Sequence, residues 1–432
     1  MAEAPTAELA PELAAWIEGA AGAKPLSARA APAGGSRSTL LVDARRPDGS
    51  PLALVVRLEG GGSHSGTSFS LEREYRVYRA LEGRGVPVPK AYDLLPDGSA
   101  LLMERLEGTA EFRAMSAADQ VASATRFMEA LGRLHALEAR ELTLPGFDLP
   151  TSAVQHATIE LDRWEILARG SCWDEPLARY AFGFLRARAP RTVQRTVLVH
   201  GDAGPGNFMA TSDRITGLID WEFCHIGDPM DDFGWLHSRS RGLMGLFEAA
   251  YPSYEAASGL QVDPPAVAYY HQMAILRCVV TVALGKLKGG ALGVIPYRHV
   301  YRNYLARLAD LLVEGEGLAV EPDELAGADG PTSPLFSEAR SELRNHVLPD
   351  GISRRARTAT QAALIALTAL ELRERFGAEV AARNEADRRA LLGAADPADL
   401  AEAAAQAGAS GEPKMLALLA RCAWRERKLW PR

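Results

Sequence analysis

The 432-residue sequence is poor in cysteine. Cys172, Cys224, Cys278 and Cys422 lie far apart and form no C-x-x-C pair, so neither a disulfide framework nor a zinc cluster is indicated. It has no excess of positive charge. Forty-eight Lys and Arg stand against 55 Asp and Glu, a net of −7. A dedicated nucleic-acid binder needs basic patches for phosphates, so no nucleic-acid partner is expected. No long apolar run is free of interruption. The longest, residues 266–286, contains His271, Gln272 and Arg277, and no membrane association is expected from it. The stretch MAEAPTAELAPELAAWIEG has no basic segment and carries acids through its apolar residues, unlike a secretory signal. The expected location is the reducing cytoplasm. Gly 39 and Pro 26 are too few for a low-complexity chain. There is no H-E-x-x-H and no G-x-S-x-G, and Gly285-Lys286 runs into Leu287, which excludes a Walker A loop.

What is present is an ordinary globular balance, 47% apolar and 24% charged, at a length that suits two or three domains. After a short Ala-rich helix near residues 6–19, STLLVDA (38–44) and LALVVRLE (52–59) read as strands around the turn RRPDGSP. A Gly/Ser loop follows at 60–68. In FSLEREYRVYRALEGRG, Leu71, Tyr75, Tyr78 and Leu81 recur at helical spacing until Gly83 and Gly85. VPVPKAYDLL and ALLMERLEG add two strand-like pieces. From Met115 the pattern is helical over about 116–140, 152–170, 175–188, 229–257, 264–288 and 297–314. One β-rich interruption occupies 196–222. This predicts an α+β protein: an N-lobe over 1–105 with a small sheet and one helix, and a mostly helical C-lobe over 106–318. A Gly-, Pro- and acid-rich linker over 319–334 and an all-α domain over 335–432 complete it.

The β-rich interruption carries the chemistry. The strand 197–199 feeds His200-Gly201-Asp202, and Asn207 lies five positions beyond Asp202. A second strand, 215–219, delivers Asp220-Trp221-Glu222. TSDR at 211–214 is a turn, so 207–221 should be a hairpin that returns Asn207 and Asp220 to Asp202. Phosphoryl transfer needs such a set. One carboxylate orients the acceptor hydroxyl and takes its proton, while an amide and a second carboxylate hold the Mg²⁺ that bridges the phosphates. Asp202 is then the base, and Asn207 and Asp220 are the metal ligands.

HGDAGPGN together with LIDWE resembles the aminoglycoside phosphotransferase family of kinase-like small-molecule phosphotransferases, over about residues 20–315. The resemblance implies a two-lobed protein-kinase-like fold, ATP and Mg²⁺ as cofactors, and a small-molecule hydroxyl as acceptor. It places Gly34, Gly35 and Ser36 in the loop over the nucleotide phosphates, where glycine permits close approach to an anion. Arg57 stands where protein kinases have the phosphate-contacting lysine of V-A-I-K. Arginine keeps the charge but is forked and bulkier. Of the acids on the following helix, Glu74 falls inside the apolar arc and Glu72 outside it, so Glu74 is the expected partner of Arg57. Glu104 and Leu106 bracket the hinge, where adenine meets backbone. His200 is expected to support the loop. Asp228, before Pro229, is expected to cap a helix.

Only residues 221–228 separate Asp220 from Pro229, too few for a peptide platform, and Gly201 replaces the arginine of H-R-D. Both favour a small acceptor. In IELDRWE, Glu160, Asp162, Trp164 and Glu165 are candidate acceptor contacts, with Trp173, Trp221 and Trp235. Arg57, EREYRVYRAL, VPVPKAYDL and RWE resemble the branch of kinase domains associated with acyl-CoA dehydrogenases, which implies a hydroxyacyl-type substrate. Two alternatives stand beside it: an aminoglycoside or other antibiotic kinase, and a silent nucleotide-binding pseudokinase serving the C-terminal helices. Those helices could cap the acceptor site, form a homodimer or bind a partner.

Overall fold

The computed structural model describes residues 9–31, 37–59, 69–287, 294–328, 332–348, 354–393 and 397–431. Its contacts divide it into two compact units, Met1–Ile159 with Pro190–His271, and Glu160–Ala189 with Gln272–Arg432.

The first unit opens with α1 (Pro11–Ala21). Pro11 occupies the first helical turn, where a missing N–H leaves no bond unmade, and this starts the helix later than the sequence suggests. Five antiparallel strands follow: β1 (Lys24–Ala30), β2 (Ser38–Arg45), β3 (Pro51–Leu58), β4 (Ala91–Leu94) and β5 (Ala100–Glu104). Their order is β1-β2-β3-β5-β4. β1 was not expected. KPLSARA holds a proline and buries only Ala28 fully, so it shows no apolar run. Val42, Leu54, Val56 and Leu102 form the sheet's core with Ile17 of α1. Between β3 and β4 lies α2 (Leu71–Leu81), capped by Ser70, whose hydroxyl accepts the Arg73 N–H at 3.3 Å. It buries Leu71, Glu74, Val77, Tyr78 and Leu81; Val77 takes the place expected for Tyr75, which is half-buried.

The chain continues through α3 (Ala117–His135), α4 (Gln155–Arg169) and α5 (Pro176–Ala187). Four short strands follow: β6 (Val197–Val199), β7 (Phe208–Ala210), β8 (Ile215–Leu218) and β9 (His225–Gly227). β6 pairs with β9 and β7 with β8, both antiparallel. Where one helix was expected over 229–257 there are three: α6 (Met230–Ser240), α7 (Met244–Glu248) and α8 (Tyr251–Ser258). Arg241 and Gly242 take φ of 32° and 81°, which ends α6. Next come α9 (Pro264–Leu287) and α10 (Val294–Gly315). The stretch Pro264–Gly285 is long and apolar enough to cross a membrane, and 83% of its most apolar window is buried inside the protein.

The second unit holds α5, α10 and four further helices, α11 (Pro334–Glu342), α12 (Arg354–Leu392), α13 (Pro397–Ser410) and α14 (Pro413–Lys428). α5 and α13 meet backbone to backbone. A Cβ on Gly408 would lie 2.2 Å from the Tyr180 carbonyl oxygen, and one on Gly183 2.9 Å from that of Ala405. Trp424 of α14 donates to Asp310 of α10 at 2.7 Å. The boundaries expected at residues 105, 318 and 334 do not coincide with this division, because the C-terminal helices group with α5 and α10. The expected linker is tied down by one acid and one backbone group: Asp323 pairs with Arg425 of α14, and Gly327 N–H donates to Glu379 of α12 at 2.8 Å.

Candidate active site

All three residues expected to do the chemistry lie in the first unit. β6 is buried throughout and delivers His200-Gly201-Asp202. Gly201 has φ 79°, and a Cβ there would sit 2.1 Å from the Phe223 carbonyl oxygen, so only glycine fits. The N–H groups of His200 and Gly201 donate to the two carboxylate oxygens of Asp232 on α6, at 2.8 and 2.9 Å. His135 Nε2 donates to the same carboxylate at 3.0 Å, and its Nδ1 lies 3.0 Å from the Tyr254 hydroxyl. The backbone leading into Asp202 is thus held by a buried carboxyl group. His200 Nε2 donates to the Ile219 carbonyl at 3.0 Å and its ring rests on Trp221, 4.4 Å between centroids. Burial lowers its pKa, which suits a loop support.

The hairpin closes as the spacing required. Asn207 Nδ2 donates to Asp202 Oδ2 at 2.6 Å and to its carbonyl at 2.8 Å. Ile219 N–H donates to the Asn207 carbonyl at 3.0 Å, one step past the β7–β8 ladder, so Asp220 lies beside Asn207. Asp220 takes φ 67°, unusual for a residue with a side chain. Asp202 is 6% exposed. Burial, helped by the nearby Asp220 charge, raises its pKa to about 6 against the pull of Arg239. Burial also pulls Asp220 upward, but the Arg57 charge and hydrogen bond outweigh it and hold the carboxyl below its ordinary value.

Arg57 donates through Nη1 to Glu74 Oε2 and through Nη2 to Asp220 Oδ1, both at 2.7 Å. The expected pair therefore forms, and the fork of arginine lets one side chain serve both acids. Glu74 is fully buried. Desolvation raises its pKa against the charges of Arg57 and Arg37. Arg37 was not expected here. It pairs with Glu74 Oε1, donates to the Phe69 carbonyl, and lies 3.3 Å from Glu59 and 3.4 Å from Glu222. Burial, then Asp220, raises the Glu222 carboxyl to about 8.

Gly34, Gly35 and Ser36 lie outside the described residues. The neighbouring Arg37 starts the return into β2, so the glycine segment joins β1 to β2. Glu104 ends β5, where its N–H donates to the Lys90 carbonyl and its carboxylate accepts the Lys90 N–H. Leu106 packs on the catalytic hairpin: a Cβ on Gly217 would lie 2.4 Å from Leu106 Cδ1. Thr109 and Ala210 exchange backbone hydrogen bonds at 2.9 and 3.0 Å, which ties the hinge segment to β7. Asp228 caps as expected, one position early: its Oδ1 accepts the Met230 N–H at 2.9 Å while Pro229 precedes the helix. Glu160, Asp162, Trp164 and Glu165 belong to the second unit. There Glu160 pairs with Arg163, Asp162 and Glu165 pair with Arg186, and Trp164 is buried. Trp173 lies under Arg169 and Arg179. Trp221 and Trp235 are buried, Trp221 against His200 and Trp235 stacked on Phe223.

The residues the sequence did not single out are Arg37, Asp232 and Arg239. Arg239 Nη1 lies 2.8 Å from both Asp202 oxygens, and Nη2 donates to Asn207 Oδ1 at 3.2 Å. One signal was available: Asp232 and Arg239 are seven residues apart, two turns along one helix face.

The profile of the phosphotransferase enzyme family (APH) matches residues 27–276, more than half of the chain and the whole span of these side chains. The chain belongs to that family. It is also similar to acyl-CoA dehydrogenase family member 10 of Mus musculus, 27% identical over 194 residues, 42% of this chain and 18% of that protein. Member 11 of Homo sapiens is 27% identical over 191 residues, 41% of this chain and 24% of that protein. The chain therefore matches about a fifth to a quarter of these relatives' length. Among solved structures, a Ralstonia eutropha protein put forward as an aminoglycoside phosphotransferase has a TM-score of 0.50 at 24% identity. The match covers 64% of this chain and 88% of that one. LicA in complex with AMP has a TM-score of 0.51 at 19% identity, covering 69% and 98%. These likenesses establish the kinase-like α+β fold, and the family is one of phosphotransferases.

Proposed function

We propose that this chain transfers the γ-phosphoryl group of ATP to a hydroxyl of a small molecule, with Asp202 as general base and Asn207 and Asp220 holding Mg²⁺. The observation that carries this is the meeting of Asp202 and Asn207 at 2.6 Å, with Asp220 beside Asn207. One carboxylate and one amide supply hard oxygen donors. Mg²⁺ characteristically takes one or two carboxylates and completes its shell with phosphates and water, so the set fits. When bound, Mg²⁺ would offset charge on the phosphates. Arg57, fixed by Glu74, would face the nucleotide phosphates. Asp202 would orient the acceptor hydroxyl and accept its proton late, as the acceptor oxygen bonds to the γ-phosphorus and the bond to ADP breaks.

The acceptor we propose is a hydroxyacyl compound. The matched relatives carry acyl-CoA in their names. The acids that could attract a polycationic antibiotic are already paired with arginines. A peptide acceptor is disfavoured because β9, which follows Asp220, is pinned to β6.

A second reading, a silent nucleotide-binding module, is favoured by one observation. Asp220 accepts from Arg57 and Asn207 from Arg239, so arginines engage both proposed metal ligands. Mg²⁺-dependent ATP hydrolysis, with ADP release stimulated by hydroxyacyl-CoAs, separates the two. Asp202→Asn should abolish both activities while nucleotide binding survives. Hydrolysis by that variant at the parent's rate sinks the base assignment, and stimulation by aminoglycosides instead sinks the acceptor assignment.

A further inference from the structure

We infer that Arg239 is the cation that meets the transferred phosphoryl group, delivered by α6 because the catalytic loop has none of its own. The inference rests on the phosphotransferase reading above. Between Asp202 and Asn207 the sequence is Ala-Gly-Pro-Gly, without lysine or arginine. Charge develops on the equatorial oxygens of the phosphoryl group during transfer, and a fixed cation there lowers the barrier.

The loop is shaped to admit Arg239. A Cβ on Gly204 would lie 3.1 Å from Arg239 Cβ, and one on Gly206 would lie 2.9 Å from Nη2. Both glycines have positive φ, 138° and 96°. The guanidinium fills this hollow. Its Nε donates to the Pro205 carbonyl at 3.1 Å, Nη1 is shared between the Asp202 oxygens at 2.8 Å each, and Nη2 donates to Asn207 Oδ1 at 3.2 Å. The side chain is 29% exposed, so a solute can reach it.

The position of Arg239 on α6 explains its precision. Asp232, two turns earlier on the same face, accepts the N–H groups of His200 and Gly201. One rigid helix therefore grips the loop at its beginning and its end. The four bonds are unequal in consequence. Those to Pro205 and Asp202 hold the guanidinium in place. The longest goes to Asn207 Oδ1, the oxygen proposed for the metal. Metal binding at that oxygen would release Nη2 to a γ-phosphate oxygen. In the transfer the acceptor proton passes to Asp202, the acceptor oxygen bonds to phosphorus, and the electron pair of the broken bond leaves with ADP. Arg239 stays protonated throughout.

The test compares Mg·ADP with Mg·AMP-PNP by titration calorimetry, and Mg·ATP hydrolysis by ADP release, in parent, Arg239→Gln, Arg239→Lys and Arg239→Ala. The parent should prefer the triphosphate analogue. Arg239→Gln should weaken that analogue about tenfold and leave ADP within about twofold, with hydrolysis down about 100-fold, the scale of losing one preorganised donor. Arg239→Lys should keep part of the triphosphate preference. Arg239→Ala hydrolysis should recover in part with added guanidinium ion, which a packing defect would not do. Equal loss of both nucleotides, or no change in either, overturns the inference. If Arg239→Gln does not fold, Arg239→Lys decides alone: the inference fails if its ADP affinity falls with the triphosphate's or if its hydrolysis equals the parent's. A parent that binds neither nucleotide overturns the phosphotransferase reading itself.

Discussion

Asp228 shows how a single buried group can set a pH response. It is almost fully buried, and desolvation, with the neighbouring Asp231 and Asp263, raises its carboxyl from 3.8 to about 7. A raised folded-state pKa on an acid means that the folded state holds its proton where the unfolded state has lost it. Stability is therefore highest below pH 3.8 as far as this group is concerned. It falls by about 1.4 kcal/mol per pH step up to about 7, and is flat beyond. Asparagine keeps the oxygen that accepts the Met230 N–H and carries no charge to bury. Asp228→Asn should melt several degrees above the parent at pH 8, with the gap closing towards pH 4. A gap independent of pH would rule the mechanism out. The meeting of Asp202 with Asn207 was legible at this scale, because a strand, a tight turn and a second strand at this spacing close a hairpin. Arg37 and Arg239 were not. An arginine beside a glycine loop or at a helix end looks like a solvated charge until the tertiary contact places a carboxylate against it.

At the scale of elements, the loop after β6 depends on one glycine. Placing Gly201 so close to the Phe223 carbonyl leaves no room for a side chain, and its φ is strained for any other residue. Gly201→Ala should cost on the order of 3 kcal/mol of stability. It should also lower ATP hydrolysis, since the His200 and Gly201 N–H groups would lose their register on Asp232. Urea unfolding and the hydrolysis assay together check this; unchanged values in both would contradict the packing described. The strongly periodic elements, such as β2, β3, α2 and the catalytic hairpin, were readable from sequence because one face of each is apolar. β1 was not, since it buries a single residue fully. The breaks between α6, α7 and α8 do not show in the helical pattern over 229–257, because they come from the positive φ of Arg241 and Gly242, which turns the chain.

At the scale of the whole molecule, the chain does not divide where its composition changes. α13 lies against α5 with glycine backbones in contact, and Asp323, in the stretch that reads as a linker, is bound by Arg425. A 335–432 fragment should therefore lack cooperative thermal unfolding when expressed alone, and the chain cut after 318 should aggregate as α5 loses its cover. A fragment that melts cooperatively would restore the domain boundary that composition suggests. Asp323 looks like solvent-facing charge in the sequence because its partner Arg425 lies about a hundred residues away.

The doubly held Glu74 has a consequence for how such a molecule can be governed. Its carboxylate is gripped by Arg37 on one side and Arg57 on the other, in a place water does not reach. Swinging α2 outward would break two buried pairs at once and leave Arg57 to Asp220 and Arg37 to Glu59 and Glu222, and breaking a buried pair costs about 3–5 kcal/mol. A lever bolted at both ends makes a poor throttle. Turnover in this chain would follow the arrival of its reactants, with no dormant posture of that helix waiting to be awakened.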